Sequence, residues 1–133
     1  SRIRGYGYEV MLSSWTEKSP KTTNGIVRFV SQTVEEDGRI PHLTVESVKI
    51  VLDVAEEMAF RIDNKKNSFT LRLRELGGLI RIAGDLAVQD NHDLVMPDHV
   101  QRANVLSKGI NDENPYYLGQ KSSESSISRD YFF

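Results

Sequence analysis

The residues best placed to do chemistry lie between Leu71 and Ala87, in the stretch LRLRELGGLIRIAGDLA. On a helical wheel with Arg74 at zero, Gly78 falls at about +40°, Arg81 at about −20° and Asp85 at about +20°. Leu76, Leu79, Ile80, Ala83, Leu86 and Ala87 gather on the opposite side, so the core is expected there and Arg74 on the outward stripe. Gly77 and Gly78 follow Arg74 by one turn. A glycine inside a helix costs roughly 1 kcal/mol against alanine, and two of them leave a surface low enough for a ligand or another backbone to approach. An arginine beside such a clearing offers a planar, permanently charged fork suited to phosphate oxygens. The alternative is a solvated arginine, or an ion pair of the kind Arg81 could make with Asp85 at i,i+4. Arg72 falls on the inward side in the first turn, where a snorkelling side chain is expected.

Other reactive side chains are scattered. His42, His92 and His99 each lie near a helix boundary without HxxxH or HExxH spacing, so a local hydrogen bond or helix-cap role is expected rather than a metal. Lys65 and Lys66 with Arg61 form a small basic patch, by default a solvated loop, with DNA or a neighbouring subunit as the lesser alternative. The chain has no cysteine, which excludes disulfide scaffolds, Cys-ligated zinc and thiol catalysis. Gly119-Gln120-Lys121-Ser122 is not a GxxxxGK[ST] phosphate loop, and the serines beside Lys121 have no fold to orient them as nucleophiles.

The elements that must position these residues fit one domain of modest core. The chain has 133 residues, 38% apolar and 27% charged, with 17 basic against 19 acidic residues for a net charge of −2. That balance argues against blanket attraction to nucleic acid or anionic lipid. No apolar run approaches the roughly 20 residues needed to span a bilayer, and no basic-then-apolar leader opens the sequence, so a cytoplasmic location is the simplest expectation. Four helices are expected. The first runs from Thr23 or Asn24 to Asp37, with Ile26, Val27, Phe29, Val30 and Val34 inward and Gly38 ending it. The second follows Thr44 as N-cap, with Val45, Val48, Val51, Leu52, Ala55, Met58 and Ala59 as its stripe, and ends near Asp63. After a polar loop over 64–68, the third spans about Thr70 to Asp90. The fourth starts around Pro97 and carries Val100, Ala103, Val105, Leu106 and Ile110. Residues 1–14, rich in Tyr, Val and Leu, are expected to form a strand whose sheet is mostly missing, which suggests a piece of a longer protein. Residues 15–22 are expected as a linker, 23–112 as the helical unit and 113–133 as a mobile, Ser-rich tail.

The third helical stretch closely resembles the sensor-2 helix of archaeal, membrane-linked (B-type) Lon proteases. Ser1-Arg2-Ile3-Arg4-Gly5-Tyr6-Gly7-Tyr8-Glu9-Val10 is similar to the segment that closes the large ATPase subdomain of those enzymes. Arg28-Phe29-Val30, Asp37-Gly38-Arg39-Ile40-Pro41-His42, and His92-Asp93-Leu94-Val95 with His99-Val100 match in order and spacing, so the likeness covers about residues 1–110. It implies a mainly α fold: the four-helix lid, or α subdomain, of an AAA+ module, preceded by a terminal strand of the large subdomain. Arg74 takes the place of the sensor-2 arginine that reaches the γ-phosphate of ATP. Arg2, with Arg4 close by, takes the place of the arginine finger presented to a neighbouring subunit. Both place positive charge where negative charge develops in phosphoryl transfer.

The same resemblance implies a parent that is an ATP-dependent serine endopeptidase using ATP and Mg²⁺. Its partners are the adjacent large ATPase subdomain, neighbouring subunits of a homo-oligomeric ring and protein substrates, with the lid on the cytoplasmic side of a membrane-anchored protein. The fragment alone, without phosphate loop or Ser–Lys dyad, is expected to be inactive. Lys21-Thr22-Thr23-Asn24-Gly25 departs from the family's Glu-Asn-Arg-Arg-like opening of the first lid helix. Two alternatives stand beside this reading: the lid of a helicase- or chelatase-type AAA+ machine, and a histone-like dimerising DNA-binding module, against which the net charge and the extra first helix count.

Overall fold

The computed structural model describes residues 13–117. Strand β1 (Trp15–Glu17) leads into helix α1 (Pro20–Asp37), and a loop carries the chain to α2 (Val45–Asp63). Strand β2 (Ser68–Thr70), α3 (Leu73–Gln89) and α4 (Pro97–Tyr117) follow. β1 and β2 pair antiparallel, with Trp15 opposite Thr70 and Glu17 opposite Ser68. The described fold is therefore mainly α, four helices with a two-strand ribbon at one end. Among the described residues no helix is long and apolar enough to cross a membrane.

The stretch 15–22, expected as a linker, carries β1 and the first turn of α1. The helix starts three residues before the expected Thr23 because Ser19 and Thr22 form a reciprocal cap. The Ser19 hydroxyl accepts from the Thr22 N–H at 3.1 Å, and the Thr22 hydroxyl accepts from the Ser19 N–H at 2.8 Å. Pro20 then fills the first helical position, where its missing N–H is harmless. Asn24 is an exposed residue within the helix, not its cap. At the other end Gly38 adopts φ +75° and returns its N–H to the Val34 carbonyl, as a left-handed helix stop requires.

β2 occupies the end of the expected polar loop and the expected start of the third helix. Phe69 must be buried, at 1% exposure, and a strand facing α2 does that. The Thr70 hydroxyl then accepts the Arg72 N–H at 3.0 Å, which delays α3 to Leu73. α4 runs on past the expected boundary at 112 to Tyr117. The expected strand within 1–14 and the rest of the Ser-rich tail fall, for residues 1–12 and 118–133, outside the described residues.

The core lies where the wheel of α3 places it: Leu76, Leu79, Ile80, Ala83, Leu86 and Ala87 are all buried. They meet Ile26, Val30 and Val34 of α1, Val51, Ala55 and Met58 of α2, and Val100 and Ala103 of α4. Val27, Val45 and Val105, expected inward, are exposed. The far end of the bundle is clasped by its two loops. Leu43 bridges Val95, whose N–H donates to the His42 carbonyl at 2.8 Å, while the Thr44 N–H donates to the Val95 carbonyl at 3.1 Å. Gly84 lies so close to Ile40 of the first loop that an added Cβ would collide with its side chain.

Candidate functional site

Arg74 is the second residue of α3, exposed, and makes no hydrogen bond or ion pair among the described residues. Apart from Arg28, every other described arginine is paired: Arg39 and Arg81 with Asp37, Arg61 with Glu57, Arg72 with Asp63, Arg102 with Asp90 and Asp98. A cation in the first turn of a helix opposes the positive end of the helix dipole, a cost of about 0.3–1 kcal/mol. No side chain caps this helix start either. Glu75, also exposed, stands next to Arg74 in the same turn without pairing with it, so the Arg74 guanidinium is open to an anion.

That point has a defined place in the fold. The Leu71 N–H donates to the Ser14 carbonyl at 2.8 Å, so the start of α3 is hydrogen-bonded to the segment that brings the chain into the bundle. Arg72, expected to snorkel, instead reaches Asp63 at the end of α2, Nη2 to Oδ1 at 3.2 Å. The Ser14 hydroxyl donates to the same oxygen at 2.8 Å.

The two glycines divide their roles. Gly77 is buried, and a Cβ there would meet the Phe29 ring at 3.5 Å and the Arg81 guanidinium at 3.4 Å, so it serves the contact with α1. Gly78 is the open one, since a Cβ there would meet nothing within 4 Å. The clearing beside Arg74 is therefore Gly78 alone. Arg81 bypasses Asp85 and leans across to Asp37, Nε to Oδ2 at 3.8 Å.

The histidines also separate. His42 and His92 are exposed, whereas His99 is 2% exposed in the first turn of α4. Its Nδ1 accepts the Met96 N–H at 3.0 Å, so Nε2 carries the proton and donates to Asp90 at 3.0 Å. This is the local cap role expected of a histidine at a helix boundary. The Arg102 hydrogen bond, and then the one from His99, hold the Asp90 carboxyl below its ordinary value. Among the described residues no three His, Asp or Glu side chains are grouped as a metal would need.

The expected basic patch comes apart. Arg61 pairs with Glu57 at 3.0 Å, and Lys65 lies over the Trp15 ring at 4.7 Å. Arg2 and Arg4 lie outside the described residues. The Asp63–Arg72 pair and the Asp90–His99–Arg102 group went unmarked in the sequence, because each joins residues nine or more positions apart across a turn, where no periodicity points.

A four-helix bundle with a two-strand ribbon defines the class only as a small, mainly α domain. No protein-family model matches the chain. It is, however, homologous over most of its length to a segment of archaeal Lon proteases. It is 43% identical over 126 residues to the archaeal Lon protease of Methanothermobacter thermautotrophicus, taking in 94% of this chain and 19% of that protein. The archaeal Lon protease of Archaeoglobus fulgidus is 42% identical over 113 residues, 85% of this chain and 18% of that protein. A putative Lon protease homolog of Thermoplasma acidophilum is 36% identical over 137 residues, 100% of this chain and 28% of that protein. The chain thus spans between 18% and 28% of the length of these curated relatives.

Proposed function

We propose that this chain is the helical lid of the AAA+ module of an ATP-dependent Lon-type protease. In this reading residues 1–14 belong to the large ATPase subdomain, and the bundle from β1 onward closes over ATP held there. The observation that carries the proposal is Arg74: exposed, unpaired among the described residues, in an uncapped first turn, and close in the chain to the Leu71–Ser14 hydrogen bond that ties this helix start to the segment before β1. The homology to archaeal Lon proteases supports this machine over a helicase, a chelatase or a histone-like module.

The part of ATP that these residues fit is its phosphate tail. Bound ATP with Mg²⁺ supplies the phosphoryl group whose transfer drives the motor. Arg74 places a guanidinium against the γ-phosphate oxygens, where charge shifts in the transition state. Gly78, one turn on, keeps the helix surface low so that the nucleotide or its binding subdomain can approach. The paired arginines Arg72 and Arg81 hold the helix to α2 and α1, so closure moves α3 as a rigid body and Arg74 with it. Arg2, with Arg4 beside it, is proposed as the finger toward the next subunit of a homo-oligomeric ring. Motion passed around that ring serves unfolding of protein substrates for a Ser–Lys protease domain elsewhere in the parent, on the cytoplasmic side of the membrane.

Arg74→Ala in the full-length protease tests the reading. ATP turnover is expected to fall by about 10²-fold, the scale of a lost donor to transition-state charge. The thermal stability of the 133-residue chain should stay within about 0.5 kcal/mol, as for an exposed substitution. Unchanged turnover would remove Arg74 from the mechanism.

A further inference from the structure

Asp63, in the last turn of α2, uses one carboxylate oxygen to join three parts of the chain. Its Oδ1 accepts from the Ser14 hydroxyl at 2.8 Å and from the Arg72 guanidinium at 3.2 Å. Ser14 immediately precedes β1, and Arg72 is the N-cap residue of α3, two positions before Arg74. The entering chain, the end of α2 and the start of α3 therefore meet at a single group. The Asp63 side chain is only 13% exposed, so solvent screens this contact less than it screens a surface pair.

The pair is also incompletely made. Arg72 Nε and Asp63 Oδ2 are both buried without a hydrogen-bond partner. Guanidinium and carboxylate favour two parallel bonds, and here only one is formed. A second, parallel bond from Nε to Oδ2 would satisfy both atoms. Arg72 stands at the N-cap of α3, so any change in how it meets Asp63 acts directly on the first turn of that helix.

We propose that Asp63, acting through Arg72, is a positioning residue for Arg74, and that the pair tightens to two bonds as the lid closes over ATP. This rests on the reading of Arg74 given above. Asp63 touches no nucleotide; it sets where the arginine two residues beyond Arg72 stands when closure occurs. Ser14 makes the device responsive, because any pull on the entering chain acts on the same carboxylate oxygen.

A double-mutant cycle in the full-length protease, read as steady-state ATP turnover, tests this. Asp63→Asn keeps the shape and an acceptor but removes the charge. We expect kcat to fall about three- to tenfold, the scale of a coupling residue, with KM for ATP little changed. Arg72→Lys, which keeps the charge but cannot form two parallel bonds, should act in the same direction, and Ser14→Ala likewise to a smaller extent. If Asp63→Asn proves too unstable to assay, these two carry the test. In an Arg74→Ala background none of the three should slow turnover further, because nothing remains to be positioned. Equal losses in both backgrounds would mark a purely structural role and overturn the proposal, as would no loss in either. Full turnover in Arg74→Ala alone would sink the reading of the site, a result distinct from a slow Arg74→Ala on which the other losses multiply.

Discussion

Where α1 turns into α2 and α3 into α4, polar groups find their partners inside the chain. The Ser47 hydroxyl donates to the Val95 carbonyl at 2.6 Å, the Thr44 hydroxyl accepts the Ser47 N–H, and buried His99 has both ring nitrogens engaged. At the other end, where β1 pairs with β2 and α3 begins, Arg74 is exposed, and among the described residues it has no partner, while Asp63 and Arg72 each bury an atom without one. Buried polar atoms are paired as a rule, so such exceptions call for an explanation. The difference teaches what each end is for. The clasped end holds the fold. The other end leaves one exposed guanidinium and one incompletely bonded buried ion pair among the described residues.

The comparison breaks most directly at His99. His99→Ala removes the acceptor of the Met96 N–H and the donor to Asp90, and leaves a cavity among buried neighbours. Unfolding of the 133-residue chain by urea should show a loss of about 2–4 kcal/mol, while Arg74→Ala loses next to nothing in the same assay. Comparable losses from the two substitutions would erase the distinction between a structural and a functional end.

Much of this contrast was legible in the sequence, and what was not has physical reasons. The bounds of α2, the Thr44 cap, the Gly38 stop and the inward set of α3 follow from helical period and cap chemistry, and the structure has each of them. The exposure of Arg74 followed from the same wheel. The two strands did not, because three residues are too few to show a period of two, and their pairing joins positions more than fifty apart. The early start of α1 was available in Ser19-Pro20-x-Thr22, but a polar first turn looks like a linker when only apolar spacing is weighed. The partner of Arg81 was out of reach. Asp85 and Asp37 carry the same side chain, and only the packing of α1 on α3 brings Asp37 within 3.8 Å.

Gly78 sharpens the comparison with a smaller effect of opposite sign. It sits mid-helix with open space where a Cβ would stand. Gly78→Ala should therefore stabilise the chain by up to about 1 kcal/mol through helix propensity, measured as a rise in melting temperature. If the clearing serves the proposed approach of nucleotide or large subdomain, the same substitution lowers ATP turnover in the full-length protein even as this chain gains stability. Stabilisation with unchanged turnover would make Gly78 a mere weakness of the helix.

The smallest effect expected is at Asp90, and it depends on pH in a definite direction. Hydrogen bonds from Arg102 first and His99 second hold its carboxyl below the ordinary aspartate value of 3.8. A carboxyl whose value is lowered by folding stabilises the fold wherever it is ionised in both states. Its contribution is therefore complete above about 3.8 and disappears as the pH falls through the lowered native value. Melting curves of wild type and Asp90→Asn, followed by circular dichroism, should differ by a constant small margin from neutral pH to about pH 5 and converge below 3.8. Because Asp90 is exposed at the surface of the clasp, salt should narrow that margin as well. A margin that widened toward acid would mean the carboxyl is held in its neutral form by the fold, and the clasped end would then carry an unmet polar demand like the other.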